Sequence, residues 1–320
     1  MTMAEAIREA LREEMRRDER VILLGEDIGV FGGPFGVTRG LLEEFGPERV
    51  RETPISEAAF LGAAVGCAMM GFRPVVEISF VDFIAVCFDQ LAHQASKAHF
   101  VSGGRIKTPL VVRTSVGGGW GLGFGHSQCL ESWFLHTPGI LVAFPSTPAD
   151  AKGLLKAAIR TDEPVVFLEH KLLYGFEDHV PEGDLLGEFG KAAVRAEGED
   201  VTIVAAGYMV HKALNVRRAL EGKASVEVID PRTLHPLDEE TILRSIRKTG
   251  RLVVVHEDYK RCGFGAELVA LVAERAFDLL KSPPRRVAVP DIPIPASPHL
   301  ERAAIPAEEE IERAIREILR

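Results

Sequence analysis

Short apolar runs rich in β-branched residues alternate along this chain with longer segments of helical character. A strand that is apolar at nearly every position is typical of a sheet covered on both faces, because neither face then meets water. Strands of this kind separated by helices favour parallel pairing. The sequence therefore predicts an α/β fold with two doubly wound domains. The predicted strands are 21–24, 74–80, 109–115, 140–146 and 164–169, and later in the chain 201–206, 225–229 and 252–256.

Two predicted helices carry clear signals at their first residues. Thr2 and Glu5 have the spacing of a capping box, which predicts a helix that reaches Arg17. Thr147 can cap another helix, in which Pro148 suits the first position. The other helices follow from their apolar periodicity. The predicted helical ranges are 57–70, 83–100, 148–160, 210–220, 239–248 and 266–280, with a short closing helix from residue 306.

The alternating pattern stops between residues 171 and 199, where Gly, Glu and Asp are frequent and no period is visible. It restarts at residue 201. We therefore predict a first domain over 1–185, a linker over 186–199 and a second domain over 200–320.

The charge balance limits the classes of partner. The 320 residues include 38 Lys and Arg against 47 Asp and Glu, a net charge of −9. Non-specific binding to nucleic acid or to an anionic membrane needs excess positive charge, so neither is expected. The uncharged stretch 58–72 is shorter than the roughly 20 apolar residues of a membrane span. The first residues do not resemble a signal peptide, and four scattered cysteines fit a reduced, cytoplasmic protein.

Two positions are candidates for acid–base chemistry. Glu57 opens a helix of small residues, where burial would raise its pKa and make it a proton donor or acceptor. Alternatively, Glu57 only favours the helix N-terminus. His126 ends a loop with six glycines that follows a predicted strand, at the sheet edge where α/β proteins bind ligands. Alternatively, it is a solvated histidine on a surface loop.

Two further clusters follow predicted strands. Phe80 and Phe83 could stack on a flat ligand, although core packing is the commoner role of aromatic side chains. His256, Glu257 and Asp258 could suggest a metal site. Adjacent strand residues point to opposite faces, however, so a solvated loop is the simpler interpretation of this cluster.

Seven short motifs occur in an order and spacing that resemble one family. They resemble the β subunit of the thiamine-diphosphate-dependent decarboxylating component of 2-oxo acid dehydrogenase complexes, within the transketolase-like group. The resemblance covers essentially the whole chain. The motifs are Leu24-Gly-Glu-Asp27, Thr53-Pro-Ile-Ser-Glu57, Arg73-Pro-Val-Val-Glu77, His126-Ser-Gln128, Asp150-Ala-Lys-Gly-Leu154, Asp230-Pro-Arg-Thr233 and Lys248-Thr-Gly-Arg251.

The resemblance implies roles for individual residues. The first domain would bind the pyrimidine of the cofactor, and the second would be a transketolase-like C-terminal domain. Glu57 matches the family's glutamate that hydrogen-bonds the aminopyrimidine ring, and Glu26 matches an acid beside it. Phe83 matches the aromatic residue that stacks on the pyrimidine. His126 matches the histidine that faces the substrate and the incoming lipoyl group.

The resemblance also implies a monovalent cation site, with K⁺ as the expected ion. In this family the site consists mostly of backbone carbonyls, and hard cations favour oxygen ligands. Carbonyl groups leave no side-chain signature, so the residues are carried over by position alone. They are Leu110, Ala158, Ile159, Thr161 and Glu163.

One motif of thiamine enzymes is missing. Their diphosphate- and Mg²⁺-binding motif begins Gly-Asp-Gly, which does not occur in this sequence. The resemblance therefore implies half of an active site, with an α subunit supplying the other half and Mg²⁺ in an α2β2 heterotetramer. The helix that begins at Glu57 would contact the other subunit. The resemblance also implies docking to a dihydrolipoyl acyltransferase core.

The resemblance leaves the substrate open. It fits oxidative decarboxylation of pyruvate or a branched-chain 2-oxo acid with acyl transfer to lipoamide, and it also fits the cleavage of acetoin. The C-terminal half of a split transketolase is a second hypothesis, weakened because the loop before His126 has no basic residue for a sugar phosphate. A non-catalytic assembly subunit that kept the fold is a third.

Overall fold

A computed structural model describes all 320 residues, and the chain folds into two compact units. The first unit comprises Met1–Val116 and Trp133–Phe189. The second comprises Gly117–Ser132 and Gly190–Arg320. The segment Gly117–Ser132, which the sequence placed within the first predicted domain, thus packs with the second unit.

The first unit is built on a parallel sheet, as the apolar strands predicted. Its strands lie in the order β5-β6-β4-β3-β1-β2, and all neighbouring pairs are parallel. Every residue of the central strands β1, β4 and β6 is buried, which is why their sequences carry no polar alternation. The strands are β1 (Val21–Gly25), β2 (Val50–Glu52), β3 (Arg73–Ile78), β4 (Val111–Val116), β5 (Leu141–Ala143) and β6 (Val165–His170).

The helices within residues 1–189 begin where the capping signals predicted. The backbone N–H of Thr2 donates to the Glu5 carboxylate and the N–H of Glu5 to the Thr2 hydroxyl, which confirms the capping box. Thr147 likewise accepts the N–H of Asp150. The helices are α1 (Met3–Arg17), α2 (Leu41–Phe45), α3 (Glu57–Met69), α4 (Ser96–Val101), α5 (Glu131–Leu135) and α6 (Pro148–Arg160).

The continuous helix predicted over 83–100 is wrong. The chain forms a 3-10 helix over Val81–Val86, a π-helical turn over Gln90–Ala95 and only then α4. Val81, Ile84 and Cys87 are all fully buried. A buried residue at every third position matches the three-residue turn of a 3-10 helix, in which these side chains align on one face.

The second unit has a five-stranded sheet in the order β12-β11-β8-β9-β7. Its pairs are parallel except for β7 with β9. The five strands of this sheet are β7 (Ala193–Ala196), β8 (Val201–Ala205), β9 (Val226–Asp230), β11 (Leu252–Tyr259) and β12 (Arg285–Val289), and the short strand β10 (Thr233–His235) lies outside it. Its helices are α7 (Met209–Ala219), α8 (Glu239–Thr249), α9 (Phe264–Ala276), α10 (Pro298–Ala304) and α11 (Glu308–Leu319).

Strand β7 lies inside the segment predicted as a linker. It pairs antiparallel with β9, and the guanidinium of Arg195 donates to the carboxylate of Asp230 at 2.7 Å. This short strand covers an edge of the sheet that would otherwise leave backbone groups unpaired. None of the helices combines the length and the apolar character that a bilayer crossing requires.

A buried ion cluster joins three strands of the first unit. Arg113 on β4 is 2% exposed and forms two parallel bonds to Glu169 on β6, at 2.7 and 2.8 Å. Its third nitrogen donates to Glu77 on β3 at 2.7 Å. The hydroxyl of Tyr174 donates to Glu169 at 2.7 Å. One arginine therefore holds two buried carboxylates on neighbouring strands.

We expect Arg113→Met to lower the free energy of unfolding by about 3–5 kcal/mol, because two buried carboxylates would lose their partner. Urea denaturation followed by circular dichroism measures this change. Arg105→Met removes an exposed arginine of the same unit and should change stability by less than about 0.5 kcal/mol. An Arg113→Met variant as stable as Arg105→Met would show that the cluster does not stabilise the sheet.

Candidate active site

Glu57 is the first residue of α3, and its side chain is only 8% exposed. The backbone N–H groups of a first helical turn lack partners within the helix and favour a negative charge. The preceding loop is fixed to the sheet because the N–H of Thr53 donates to the carbonyl of Gly25 at 2.9 Å. A buried carboxyl group is therefore held at a defined place beside the end of β1.

Glu26 directly follows β1 and interacts with Glu57. The backbone N–H of Ser56, the residue before α3, favours the charged form of the Glu26 carboxylate and lowers its pKa. Burial, and then the charge of Glu57, raise the pKa of Glu26 above its ordinary value. One of its oxygens, Oε1, is buried without a hydrogen-bond partner. The structure thus brings together the two acids that the resemblance implied for the cofactor site.

Further polar atoms around α3 were not singled out by the sequence. The hydroxyl of Thr53 and Oε1 of Gln90 are buried without a hydrogen-bond partner, and Gln90 lies against Gly62 of α3. Burial, and then the charge of Glu57, raise the pKa of the Cys87 thiol to about 12. Cys87 is therefore a neutral neighbour of Glu57, and this region has polar atoms left to bind a ligand.

Phe83 lies in the 3-10 helix and is positioned by a chain of aromatic contacts. Its ring meets the edge of Phe80, with ring centroids 6.0 Å apart and an interplanar angle of 87°. Phe80 contacts Phe35 in the same edge-on manner at 5.9 Å, and Phe35 stacks on Tyr174 at 4.6 Å. Tyr174 donates to Glu169 of the ion cluster, so the position of Phe83 depends on that cluster.

His126 belongs to the second unit, within the glycine-rich segment. The segment closes on itself because the N–H of Gly117 donates to the carbonyl of Gln128 at 2.9 Å. Gly121 and Gly123 have φ angles of 70° and 72°, which only glycine adopts easily. His126 is partly exposed, and its backbone N–H donates to the Gly123 carbonyl at 3.1 Å.

Acidic side chains of the second unit fix the same segment. The N–H of Gly118 donates to Glu257 on β11 at 2.6 Å, and that of Gly121 to Glu301 on α10 at 2.9 Å. The sequence offered no signal for these contacts, because the partners lie more than a hundred residues apart. The segment that carries His126 is a fixed loop of the second unit.

Comparisons with known proteins match one family model to the first half of the chain and another to the second half. The family described as "Transketolase, pyrimidine binding domain" matches residues 1–177, and "Transketolase, C-terminal domain" matches residues 190–311. The β subunit of acetoin:2,6-dichlorophenolindophenol oxidoreductase from Cupriavidus necator is 46% identical, over 98% of this chain and 96% of that protein. Subunit beta-2 of the mitochondrial pyruvate dehydrogenase E1 component from Oryza sativa is 44% identical, over 98% of this chain and 85% of that protein. The chain belongs to this family of dehydrogenase β subunits.

Other comparisons extend the family and its fold. The 2-oxoisovalerate dehydrogenase subunit beta of Bacillus subtilis is 42% identical, over 99% of this chain and 98% of that protein. A solved structure titled "Split gene transketolase, inactive beta4 tetramer" superposes with a TM-score of 0.82 at 23% identity, over 100% of this chain and 98% of that one. The latter likeness concerns the fold alone.

Three of the five carbonyls that the family resemblance assigned to a cation, those of Leu110, Ile159 and Thr161, already have partners. Arg73 donates from one guanidinium nitrogen to the carbonyls of Ile159 and Thr161, at 2.9 and 2.6 Å. The carbonyl of Leu110 accepts the N–H of Val165 at 2.8 Å. A carbonyl oxygen has two lone pairs, so each can still accept one further ligand. The residues fit a cation only through these second lone pairs.

We expect Glu57→Gln to lower the pKa of Glu26, because the charge that opposes ionisation of Glu26 would be lost. Carbon-13 NMR of labelled glutamate side chains, titrated between about pH 3 and about pH 8, measures this pKa. Glu19→Gln removes an exposed carboxylate of the same unit and should leave the titration of Glu26 unchanged. Equal titration of Glu26 in both variants would contradict the interaction between the two acids.

Proposed function

We propose that this chain is the β subunit of a 2-oxo acid dehydrogenase decarboxylating component. The reaction is thiamine-diphosphate-dependent oxidative decarboxylation of pyruvate or a related 2-oxo acid, with transfer of the acyl group to lipoamide. The observation that carries the proposal is the buried carboxyl of Glu57 at the head of α3, beside a second acid, Glu26. The family membership supports the same reaction class.

Residues of the first unit fit the pyrimidine half of the cofactor. When bound, thiamine diphosphate supplies the carbon nucleophile and accepts the electron pair that decarboxylation leaves behind. Glu57 would hold a proton against the ring nitrogen of the pyrimidine, and Phe83 would pack on the ring face. Glu26, with its raised pKa and its unpaired oxygen, would keep a proton available beside Glu57.

His126 would act on the substrate side. A partly exposed imidazole can donate a hydrogen bond to an anionic substrate. The backbone of its loop is held by Glu257 and Glu301, so the side chain starts from a fixed position. We assign substrate and lipoyl recognition to His126 and proton transfer at the pyrimidine to Glu57.

The surface of α3 supports an α-subunit partner. Ala59, Ala63, Gly66 and Met70 are exposed and recur at intervals of three or four residues, which places them on one face. We call these four residues the α3 stripe. The three small residues of α3 permit close approach of another chain, and Met70, directly after the helix, adds exposed apolar surface. We propose that this partner carries the Gly-Asp-Gly motif, holds Mg²⁺ and the diphosphate, and completes an α2β2 heterotetramer that docks on an acyltransferase core.

Cleavage of acetoin is a second candidate function. The Cupriavidus necator relative, named for acetoin, is 46% identical and matches over nearly its full length. The same two acids would serve this reaction, because only the leaving fragment differs: acetaldehyde in place of carbon dioxide. The substrate therefore has to be measured.

We expect the tagged chain, purified from its source cells, to bring down a companion with a Gly-Asp-Gly motif. The eluate should reduce a dye in the presence of thiamine diphosphate and one of three substrates: pyruvate, a branched 2-oxo acid or acetoin. Glu57→Gln in the reconstituted complex should lower turnover by about 10²–10⁴-fold, as expected for loss of an acid–base group. Glu19→Gln is the matched control. Full turnover of Glu57→Gln would support the non-catalytic assembly role instead.

We also expect K⁺ to stabilise the chain through the five backbone carbonyls that the resemblance assigned to a cation. At a concentration about 100 times its dissociation constant, a ligand adds about 2.7 kcal/mol. For a unit of this size that raises Tm by roughly 5–10 °C relative to choline at equal ionic strength. Differential scanning fluorimetry in potassium, sodium and choline chloride measures the shift. Equal Tm values in the three salts would contradict a cation site at these carbonyls.

A further inference from the structure

The segment that carries His126 ends in a fully buried cluster of ionisable groups. Glu131 is 0% exposed, and neither carboxyl oxygen has a partner in regular hydrogen-bond geometry. Its Oε1 lies 3.5 Å from Nδ1 of His256, which is also 0% exposed. The next residue, Ser132, donates from its N–H at 3.2 Å and from its hydroxyl to Asp258. These contacts join the end of the segment to β11.

The imidazole of His256 has a defined tautomer. The N–H of Gly265 donates to Nε2 at 3.2 Å, so Nε2 carries no proton. Burial lowers the pKa of His256 to about 4, and the ring is therefore neutral near pH 7. Its single proton then lies on Nδ1 and faces Glu131. His256 offers Glu131 a hydrogen-bond donor without a full positive charge.

The charges near Glu131 oppose its ionisation. Burial, and then the charge of Glu257, raise the pKa of Glu131 to about 8. Burial, and then the charge of Glu131, raise the pKa of Asp258 to about 7. Two basic groups act on other members of the cluster: Arg286 on β12 acts on His256, and Lys212 on α7 acts on Glu257.

We propose that Glu131 is a positioning residue that works as an uncharged acid. Its protonated side chain fills the buried space against His256 and keeps the segment 117–132 docked on β11. Ionisation would add a negative charge to a cluster that already contains acids, and the segment would then have to move to let water reach the carboxylate. The consequence for catalysis rests on the proposed role of His126.

The pH response has a defined sign. The folded chain keeps the proton of Glu131 up to about pH 8, whereas an unfolded glutamate loses it near pH 4.3. Between these two pH values the folded state binds more protons than the unfolded state. The docking of segment 117–132 on β11 therefore weakens as the pH rises toward about 8. Asp258 acts in the same direction up to about pH 7. The lowered pKa of His256 acts in the opposite direction, but only between about pH 4 and pH 6.5.

Trp120 reports directly on the segment. It lies within the segment and is 50% exposed, and the only other tryptophan is Trp133. In the full chain with Trp133→Phe, we expect acrylamide quenching of Trp120 to rise about twofold from about pH 6.5 to about pH 9.5, with a midpoint near the pKa of Glu131. Adding Glu131→Gln, which keeps the shape of the protonated acid, should abolish this rise.

Two further variants control the experiment. Glu274→Gln removes an exposed carboxylate of the second unit and should titrate like the parent. Glu257→Gln removes the charge that opposes ionisation of Glu131 and should move the midpoint to lower pH, while its amide oxygen can still accept the N–H of Gly118. If Glu131→Gln does not fold, the midpoint shift in Glu257→Gln tests the role of Glu131 by itself. An unchanged midpoint in Glu257→Gln, or a rise that persists in Glu131→Gln, overturns the proposal.

Turnover separates this proposal from the proposed function. In the reconstituted complex we expect kcat to fall above about pH 8 with the midpoint seen by fluorescence, and Glu131→Gln to retain its kcat there with KM unchanged. A fluorescence change without any change in turnover would contradict the role of His126 and leave the role of Glu131 supported. A parent chain with no fluorescence change overturns the role of Glu131 whatever its turnover.

Discussion

The bonds between Arg113 and its two buried carboxylates fix the geometry of the first unit. They join three neighbouring strands, β3, β4 and β6, at the centre of the sheet. A buried ion cluster adds little stability compared with apolar packing, but its directional bonds fix which strands meet and in what register. Tyr174 bonds to Glu169 of the cluster and stacks on Phe35. Ring contacts from Phe35 through Phe80 then reach Phe83, so the cluster helps to position that ring. The position of a ring proposed to contact the cofactor thus depends on charges in the middle of the sheet.

Both units bury carboxyl groups close to one another. In the first unit Glu26 and Glu57 interact at the start of α3, and in the second Glu131 and Asp258 interact beside β11. A neighbouring negative charge opposes ionisation, so the pKa values of Glu26 and Asp258 are both raised. Near the proposed cofactor site this keeps a proton available for transfer. In the second unit the retained proton has a different effect, because there it allows a loop to pack.

The sequence predicted the parts of the fold that depend on local signals. The buried strands, the capping box of α1 and the first residues of α6 agree with the structure because apolar runs and capping residues act over a few neighbours. Strands β2 and β12 were missed because their exposed arginines hide the apolar pattern. The helix predicted over 83–100 failed because burial at every third residue imposes a tighter turn.

The candidate site was predicted less completely than the fold. The resemblance pointed to Glu57 and Glu26, which the structure brings together. Thr53 and Gln90 carry no distinctive signal, since only the folded chain shows that their polar atoms are buried without partners. The link between Glu131 and His256 spans more than a hundred residues, and the sequence suggested only a solvated loop at His256. Long-range contacts of this kind cannot be deduced from local patterns.

The α3 stripe has a consequence for how the cell must make this protein. A chain produced in excess of its partner would present these apolar residues to other newly made chains and to chaperones. Surplus copies would then aggregate or be degraded. For the proposed heterotetramer, balanced synthesis of the two subunits would matter as much as the side chains proposed to act in catalysis. A change in gene expression that lowers only the partner would also deplete this chain, without altering a single residue of it.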